Sequence, residues 1–179
     1  MSPANRRRAF LPGILACLVV AMAACEEVVP TPDHAPRNEA LAQRYVEAWN
    51  ARDLLALNDL LADPIVVNGD GEFRETFLEV VQEDWSAFPD LTLEPTHVVG
   101  ADDPVTLRLE LSGTGQGEWL GHDIDGREGH ATEIILFGVE GERLTEYWYE
   151  WDELVFWEQL DVLESPWPPG LRNGRRWRR

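Results

Sequence analysis

Three aromatic side chains near the end of the sequence are spaced to form one wall of a binding site. Tyr147, Tyr149 and Trp151 are alternate residues, and alternate residues of a strand point to the same face. Their rings favour a flat or apolar ligand, and the two phenols can donate hydrogen bonds to it. The same spacing is typical of core aromatics or of a dimer interface, so both interpretations stay open.

Two further side chains carry functional chemistry but lie where structural roles also explain them. Asp152 can reach the mouth of a pocket as a proton-transfer group, yet its position just before a helix favours N-capping. His122 and Asp123 lie beside Trp119 on a glycine-rich segment, and the two can form a lip over a pocket. A solvated loop histidine is the simpler interpretation of His122.

The motifs that the sequence lacks argue against most other catalytic chemistry. Its four histidines show no close ligand spacing such as His-x-x-x-His, so no metal site is predicted. It has no phosphate-binding loop, dinucleotide fingerprint or Gly-x-Ser-x-Gly nucleophile elbow. We therefore expect neither a metal nor an organic cofactor.

The charge distribution argues against nucleic acid as a partner. All 33 acidic residues lie between positions 26 and 165, and only seven of the 15 arginines accompany them. So acidic a body repels phosphate backbones and anionic lipid. With 44% hydrophobic residues the chain can still bury a core, so wholesale disorder is excluded.

Residues 1–24 resemble a bacterial export signal. Arg6-Arg7-Arg8 precede an uncharged, mostly apolar run that is too short for a spanning helix and ends in small residues. Met22-Ala23-Ala24-Cys25 resembles a lipobox, which implies a lipid on Cys25 that anchors the exported protein to a membrane of the cell envelope. Plain secretion, with an incidental cysteine, is the alternative.

The segments that flank the domain are predicted to be extended. Residues 25–37 contain three prolines and are interpreted as a tether, and residues 165–179 as a disordered, arginine-rich tail. Removal of the signal leaves at most Cys25, so the mature chain cannot form an internal disulfide. Residues 38–164 are predicted to fold as one domain.

Hydrophobic periodicity predicts the order helix, helix, strand, helix, four strands and a last short helix. The helices are expected to begin at Asn38, at Asp53, near Phe77 and at Asp152. Strands are predicted over residues 65–68, 91–99, 105–111, 132–139 and 143–151, with a bent glycine-rich segment at 113–121. This order is typical of an α+β domain in which one curved antiparallel sheet wraps around N-terminal helices and encloses a cavity.

This order and several local motifs resemble the nuclear transport factor 2-like superfamily, and within it the SnoaL-like polyketide cyclases. The motifs follow the family's order over residues 41–160. They are Tyr45-Val46-Glu47-Ala48-Trp49-Asn50, Trp85-Ser86-Ala87-Phe88-Pro89-Asp90-Leu91, Ser112-Gly113-Thr114-Gly115-Gln116-Gly117-Glu118, Gly121 to Gly126-Arg127, Glu146-Tyr147-Trp148 with Asp152, and Gln159-Leu160. The resemblance implies a cone-shaped domain with a ligand cavity. The family's cyclases close a ring by intramolecular aldol chemistry, which needs a base beside a carbonyl and a donor for its oxygen.

The catalytic pair that the resemblance implies is replaced in this chain. The cyclases resembled use an aspartate on the last strand and a histidine on the strand before it. Alignment through Trp148 and Asp152 places Tyr149 and Ile135 at these positions, and a second family histidine corresponds to Gly115. These replacements argue against the family's mechanism and leave a relocated mechanism open.

Glu133 is the candidate for a relocated base. It lies two residues before Ile135, so both face the cavity if Ile135 does. In an apolar cavity its pKa would rise and it could act as a base, with Tyr149 as donor, although its place near the strand end favours a solvated carboxylate at the rim. The expected pocket residues are Tyr45, Trp85, Trp119, His122, Ile135, Tyr147 and Trp151.

Three functions stay open at this point. The chain can be a domain that binds a small hydrophobic molecule without chemistry, an enzyme of cyclase, isomerase or hydrolase type, or an envelope interaction module. The lost catalytic pair favours the binding domain over the enzyme. A homodimer through the sheet face is compatible with all three, and its candidate residues are Leu109, Leu111, Ile134 and Leu136.

Overall fold

A computed structural model of the chain describes residues 34–100 and 102–163. The predicted export signal, Cys25, most of the predicted tether and the predicted arginine-rich tail lie outside the described residues. Within the described residues, no helix combines the length and the apolar character needed to cross a bilayer.

The described residues form four helices and eight strands. The helices are α1 (Ala35–Asn50), α2 (Leu54–Leu60), α3 (Arg74–Ala87) and α4 (Glu153–Gln159). The strands are β1 (Leu61–Val67), β2 (Asp70–Glu72), β3 (Thr92–Val99), β4 (Val105–Thr114), β5 (Glu118–Trp119), β6 (His122–Asp123), β7 (Glu128–Glu140) and β8 (Arg143–Trp151).

Six strands form one curved sheet in the order β2-β1-β8-β7-β4-β3, and β5 pairs with β6 in a separate small ribbon. Every neighbouring pair of the large sheet is antiparallel except β1 and β8, which run parallel. Register shifts after Pro95 and after Gly138 mark bulges, which bend a sheet. The predicted α+β architecture is confirmed, but the sheet is mixed rather than wholly antiparallel.

The first helix begins earlier than the sequence pattern predicts. It starts at Ala35, and Pro36 is accommodated because the first turn of a helix needs no backbone donor at that position. Asn38 is therefore not an N-cap: it is buried inside α1, and its amide donates to the carbonyl oxygen of Asp102 across 2.5 Å. The predicted tether is wrong over residues 35–37, which are helical.

The second helix is capped as predicted. The Asp53 carboxylate accepts a hydrogen bond of 2.9 Å from the backbone N–H of Ala56. The helix ends at Leu60, and β1 begins at once with Leu61, four residues before the strand that the sequence predicts. Pro64 is thus a residue of this strand.

The inner face of the sheet carries the apolar residues of the alternating strands. Leu109 and Leu111 are both buried, and Leu109 is the register partner of Glu133. Both leucines were predicted to lie on a dimer surface, and that prediction is wrong because their side chains face the interior. Ile134 is 49% exposed and Leu136 half-buried, on the outer face.

The glycine-rich segment is a turn and a ribbon rather than one bent strand. After β4 the chain forms the β5–β6 hairpin, in which Gly117 and Gly121 have φ angles of +70° and +82°. A Cβ atom at Gly115 would overlap the backbone oxygen of Ile124. The histidine that the family resemblance implies at this position therefore has no space here.

Candidate active site

A cavity of about 510 Å³ lies between α3, the inner face of the sheet, the β5–β6 ribbon and α4. This volume is within the range of small-molecule sites. Aromatic rings form a large part of its wall, from Trp49, Phe77, Phe88, Trp119, Tyr147, Tyr149, Trp151, Phe156 and Trp157. Four carboxylates complete the polar part of the lining, from Glu83, Asp84, Glu133 and Glu153.

One face of α3 provides the helical wall of the cavity. Phe77, Val80, Val81 and Asp84 all line it, and their spacing of three and four residues puts them on one helix face. The Phe77 ring lies 5.2 Å from the ring of Tyr147 on the opposite wall. Asp84 thus extends an otherwise apolar stripe into the cavity.

The inner face of β7 and β8 provides the opposite wall. Tyr147, Tyr149 and Trp151 all line the cavity, as strand alternation predicts, and the two tyrosine rings lie 5.3 Å apart. Trp148 lies on the other face, 41% exposed, where its indole N–H donates to Glu146 across 2.7 Å. Glu133 projects from β7 into the same cavity.

Indole rings surround the open end of the cavity. Trp119 of the β5–β6 ribbon stacks on Trp157 of α4, with ring centroids 5.0 Å apart and planes 20° from parallel. Two further lining residues are largely exposed, Leu120, which follows Trp119, at 66% and Val80, one turn before Asp84 on α3, at 52%. The cavity is therefore open to solvent at this end.

Glu133 is a buried carboxylate, 7% exposed, and not a solvated rim residue as its place in the strand suggests. Tyr147 donates a hydrogen bond of 3.4 Å to its Oε1 atom. Burial raises the pKa of Glu133 to about 7, and the charge of Asp84 adds to the rise, while the Tyr147 hydrogen bond opposes it. Near neutral pH this carboxyl can therefore both accept and release a proton.

Asp84 is a site residue that the sequence analysis missed. Burial raises its pKa to about 6, the charge of Glu83 adds to the rise, and the nearby Trp119 side chain, a hydrogen-bond donor, opposes it. The signal was present in the sequence, because Asp84 lies seven residues after Phe77 and three after Val81 on their apolar face. An acidic residue on the apolar face of a helix indicates either a buried hydrogen-bond or ion-pair partner for it, or a functional site.

The tyrosines beside Glu133 keep their protons at neutral pH. Burial first, and the charge of Glu133 second, raise the pKa of Tyr147 well above its ordinary value. The same two causes raise the pKa of the half-buried Tyr149. Both phenols therefore act as hydrogen-bond donors inside the cavity.

Four predicted pocket residues do not line the cavity within the part of the chain that the structure describes. Tyr45 and Ile135 are fully buried in the core, and Tyr45 packs 4.9 Å from the ring of Phe137. Trp85 packs edge-on against Trp49 behind the wall. His122 is exposed and lies beside the cavity wall, as the register partner of Trp119 and with its ring 5.5 Å from that of Trp157.

Asp152 has neither of the roles that the sequence predicts for it. It occupies the N-cap position of α4, but its side chain forms no capping hydrogen bond. The side chain is exposed and absent from the cavity wall of the described residues, where Glu153 takes its place. Among residues 34–100 and 102–163, no three histidine, cysteine, aspartate or glutamate side chains are arranged so that they could hold one metal ion.

Comparison with known proteins identifies the family. The family model for SnoaL-like polyketide cyclases matches residues 39–160. The structure is similar to IdmH, a candidate polyketide cyclase from Streptomyces antibioticus, with 28% identity and a TM-score of 0.64 over 70% of this chain and 99% of that chain. It is also similar to TsrD from Streptomyces laurentii, with 26% identity and a TM-score of 0.64 over 70% and 95% of the two chains.

A third similar structure extends the likeness in fold. AclR, a candidate hydroxylase from Streptomyces galilaeus, superposes with a TM-score of 0.67 at 23% identity over 73% of this chain and 89% of that one. Among curated proteins, none matches the sequence. The match over residues 39–160 and the nuclear transport factor 2-like architecture agree with the sequence motifs, and the chain therefore belongs to the SnoaL-like polyketide cyclase family.

Proposed function

We propose that this domain binds a small hydrophobic or aromatic molecule in its cavity and transfers a proton on that molecule with Glu133. The observation that carries the proposal is the burial of Glu133 among aromatic rings, where its pKa of about 7 matches the operating range of a general base. Family membership supports a small hydrophobic ligand as the occupant.

The proposed reaction starts at a carbon next to a carbonyl group. The ionised Glu133 takes the proton from that carbon, and the electron pair of the C–H bond moves to the carbonyl oxygen to form an enolate. Tyr149, which lines the same cavity and keeps its proton, donates a hydrogen bond to that oxygen. The enolate then attacks a second carbonyl, as in a cyclase, or takes a proton at another carbon, as in an isomerase.

Glu133 replaces the family's catalytic pair from a neighbouring position. Ile135 and Tyr149, which stand where the resemblance implies the pair, are register partners on β7 and β8. Glu133 lies on the same face of β7, two residues away. The carboxylate in this proposal has therefore moved from the last strand to the strand before it, and a phenol stands in its former place.

A domain that only binds a neutral hydrophobic ligand would gain little from a buried carboxylate. Moving a carboxylate out of water costs free energy unless the group is well paired, and Glu133 has one hydrogen bond of 3.4 Å from the described residues. Proton transfer explains why the domain keeps a carboxylate in a position where burial is unfavourable. Binding without chemistry is the outcome that the experiment below would reveal if the proposal failed.

The ring opening of 5-nitrobenzisoxazole tests the proposal. This flat aromatic reporter loses a carbon-bound proton to a carboxylate base and becomes a coloured phenolate, so the reaction is followed by absorbance. We expect the protein to accelerate it and the Glu133→Gln substitution to reduce the rate by about 100-fold or more. The exposed Glu94 lies outside the cavity wall, and Glu94→Gln should keep the rate. Equal rates for both variants would refute a catalytic Glu133.

The proposed location is outside the cytoplasm, on a lipid anchor at Cys25. The support is the sequence of the first 25 residues, with three arginines, an apolar run and a lipobox-like ending. Plain secretion is the alternative. A sheet-face homodimer finds less support, because only Ile134 and Leu136 of its four candidate residues lie on the outer face.

A further inference from the structure

The cavity combines an apolar wall with carboxylates that lack positive partners. Glu83, Asp84, Glu133 and Glu153 line it, and no arginine or histidine side chain does so among the described residues. The ion pairs in the described part of the chain join Arg74 to Asp63 and Arg108 to Glu110, so neither involves a lining carboxylate. His122 meets Trp157 from outside the wall.

Three of these carboxylates disfavour ionisation of a neighbour in the lining. The charge of Glu83 disfavours ionisation of Asp84, and the charge of Asp84 disfavours ionisation of Glu133. Glu133 is nine-tenths buried and projects into the cavity, and its Oε2 atom accepts no hydrogen bond from the described residues. A positive charge placed in the cavity would relieve this repulsion, whereas a negative charge would increase it.

The aromatic rings around the carboxylates also favour a positively charged ligand. The stacked indoles of Trp119 and Trp157 lie at the open end, where Glu153 is exposed and Asp84 is close to Trp119. An ammonium group is attracted to the face of an indole ring, most strongly where water is partly excluded. The open end therefore brings together indole rings and carboxylates, two kinds of group that attract a cation.

We propose that the ligand of this cavity is a hydrophobic cation, an apolar or aromatic molecule that carries a protonated amine or a quaternary ammonium group. This inference rests on the proposed function and names its substrate class. The cationic group lies at the open end, between Asp84, Glu153 and the two indoles. The apolar body extends inward, so that its reactive carbon faces Glu133 and the phenols.

The orientation follows from the two roles that the carboxylates must serve. A cation in contact with Glu133 would lower the pKa of the base and weaken it. A cation beside Asp84 pairs with a separate carboxylate, so it lowers the pKa of Glu133 less than direct contact would and leaves the Oε2 atom of Glu133 free to take a proton. Anionic ligands, including phosphate-bearing carriers, are disfavoured by all four carboxylates.

Three matched probes test the inference on the full-length protein. They are (naphthylmethyl)trimethylammonium, its neutral carbon isostere neopentylnaphthalene, and the anion naphthylacetate. Their affinities are measured by quenching of the cavity tryptophans and by competition with 5-nitrobenzisoxazole. We expect the cation to bind about tenfold more tightly than the neutral isostere, and the anion to bind more weakly than either.

Variants at the open end locate the preference. Asp84→Asn and Glu153→Gln remove one charge each with little change of shape, and we expect each to reduce the affinity for the cation several-fold and to leave the neutral isostere unchanged. Glu94→Gln removes a charge outside the cavity wall and should change neither affinity. This control separates a local effect from the general acidity of the protein.

The outcomes separate the two proposals. Equal or tighter binding of the neutral isostere or of the anion overturns the hydrophobic cation. So does an unchanged preference in both Asp84→Asn and Glu153→Gln. If ring opening of the reporter still depends on Glu133 in those cases, the proposed proton transfer stands with a different ligand class. If the cation is preferred but Glu133→Gln keeps the reporter rate, the binding class stands and the chemistry fails.

Discussion

Tyr147 and Glu133 are joined inside the cavity by a hydrogen bond of 3.4 Å between the phenol and the carboxylate Oε1. They lie on adjacent strands but not opposite each other, since Tyr147 is the register partner of Phe137 and Glu133 that of Trp151. The phenol therefore reaches along the sheet to the carboxylate. This bond is the described contact that holds the pKa of Glu133 below the value that burial and Asp84 would otherwise give.

Replacement of Tyr147 by phenylalanine should raise the pKa of Glu133. The substitution removes the donor that favours the ionised carboxylate but keeps the ring that packs 5.2 Å from Phe77. The rate of 5-nitrobenzisoxazole opening, measured against pH, should reach half its maximum at a higher pH than in the wild type.

Tyr149→Phe is the matched comparison, because it removes a cavity phenol for which no hydrogen bond to Glu133 is described. It should lower the maximal rate and keep the midpoint. A midpoint that moves down in Tyr147→Phe would contradict the assigned hydrogen bond.

Alanine at Gly115 should destabilise the domain. A Cβ atom there overlaps the Ile124 backbone oxygen, which a rotamer change cannot relieve. We expect a loss of about 1–3 kcal/mol in the free energy of unfolding, the usual cost of overpacking. Gly71→Ala is the control, since a Cβ atom at Gly71 has no neighbour within 4 Å. Urea denaturation measures both, and equal midpoints would show that the β4–β5 connection can shift to admit a side chain.

Much of the fold could be predicted because it depends on local patterns. The alternation of Val105, Leu107, Leu109 and Leu111 identifies a strand with one buried face, and Asp53 identifies a helix start. The parallel pairing of β1 with β8 could not be predicted in this way. It joins residues about 80 positions apart, such as Val67 and Tyr147, and no local pattern encodes that partner.

The candidate site was harder to predict than the fold because a cavity is a product of packing. Tyr45 and Trp119 are both large aromatic residues that the sequence analysis assigns to the pocket. The structure puts Tyr45 against Phe137 in the core and Trp119 on the cavity wall. The burial of Glu133 could not be predicted from the sequence for the same reason. Strand alternation gives its face, but how deeply that face is covered depends on α3 and α4, which pack from elsewhere in the chain.

Membrane association should depend on Cys25. If a lipid on this residue anchors the exported protein, Cys25→Ser will move it from the membrane fraction to the soluble fraction. Cys17→Ser is the matched control, because it changes the other cysteine of the apolar run and leaves Met22-Ala23-Ala24-Cys25 intact. Fractions are compared by immunoblot after a high-salt wash, which removes proteins held by charge alone. Persistence of the Cys25→Ser protein in washed membranes would argue against the anchor.

Stability should fall as the pH rises from about 3.8 to about 7, since the buried carboxyls of Asp84 and Glu133 bind protons more tightly in the folded state. The pKa of Glu133 rises from 4.5 to about 7 and that of Asp84 from 3.8 to about 6, with Tyr45, Tyr147, Tyr149 and Glu83 as their titratable neighbours. In this window the folded chain holds protons that the unfolded chain has released. The penalty is absent at lower pH, grows through the window and stays constant above it.

The substitution Glu133→Gln isolates the contribution of this one carboxyl. At 1.36 kcal/mol per pKa unit, ionising Glu133 costs the folded state roughly 3 kcal/mol at pH 8, so the variant should gain up to that amount there and almost nothing at pH 4.5. Repulsion among the many surface carboxylates also lowers the stability of every variant between pH 4.5 and pH 8. Glu94→Gln removes one such surface charge and therefore provides the baseline. Urea midpoints at pH 4.5 and pH 8 measure the difference. If Glu133→Gln and Glu94→Gln lost stability equally between the two pH values, Glu133 would be ionising as an ordinary solvated carboxyl, and its role as a base tuned to neutral pH would fall with it.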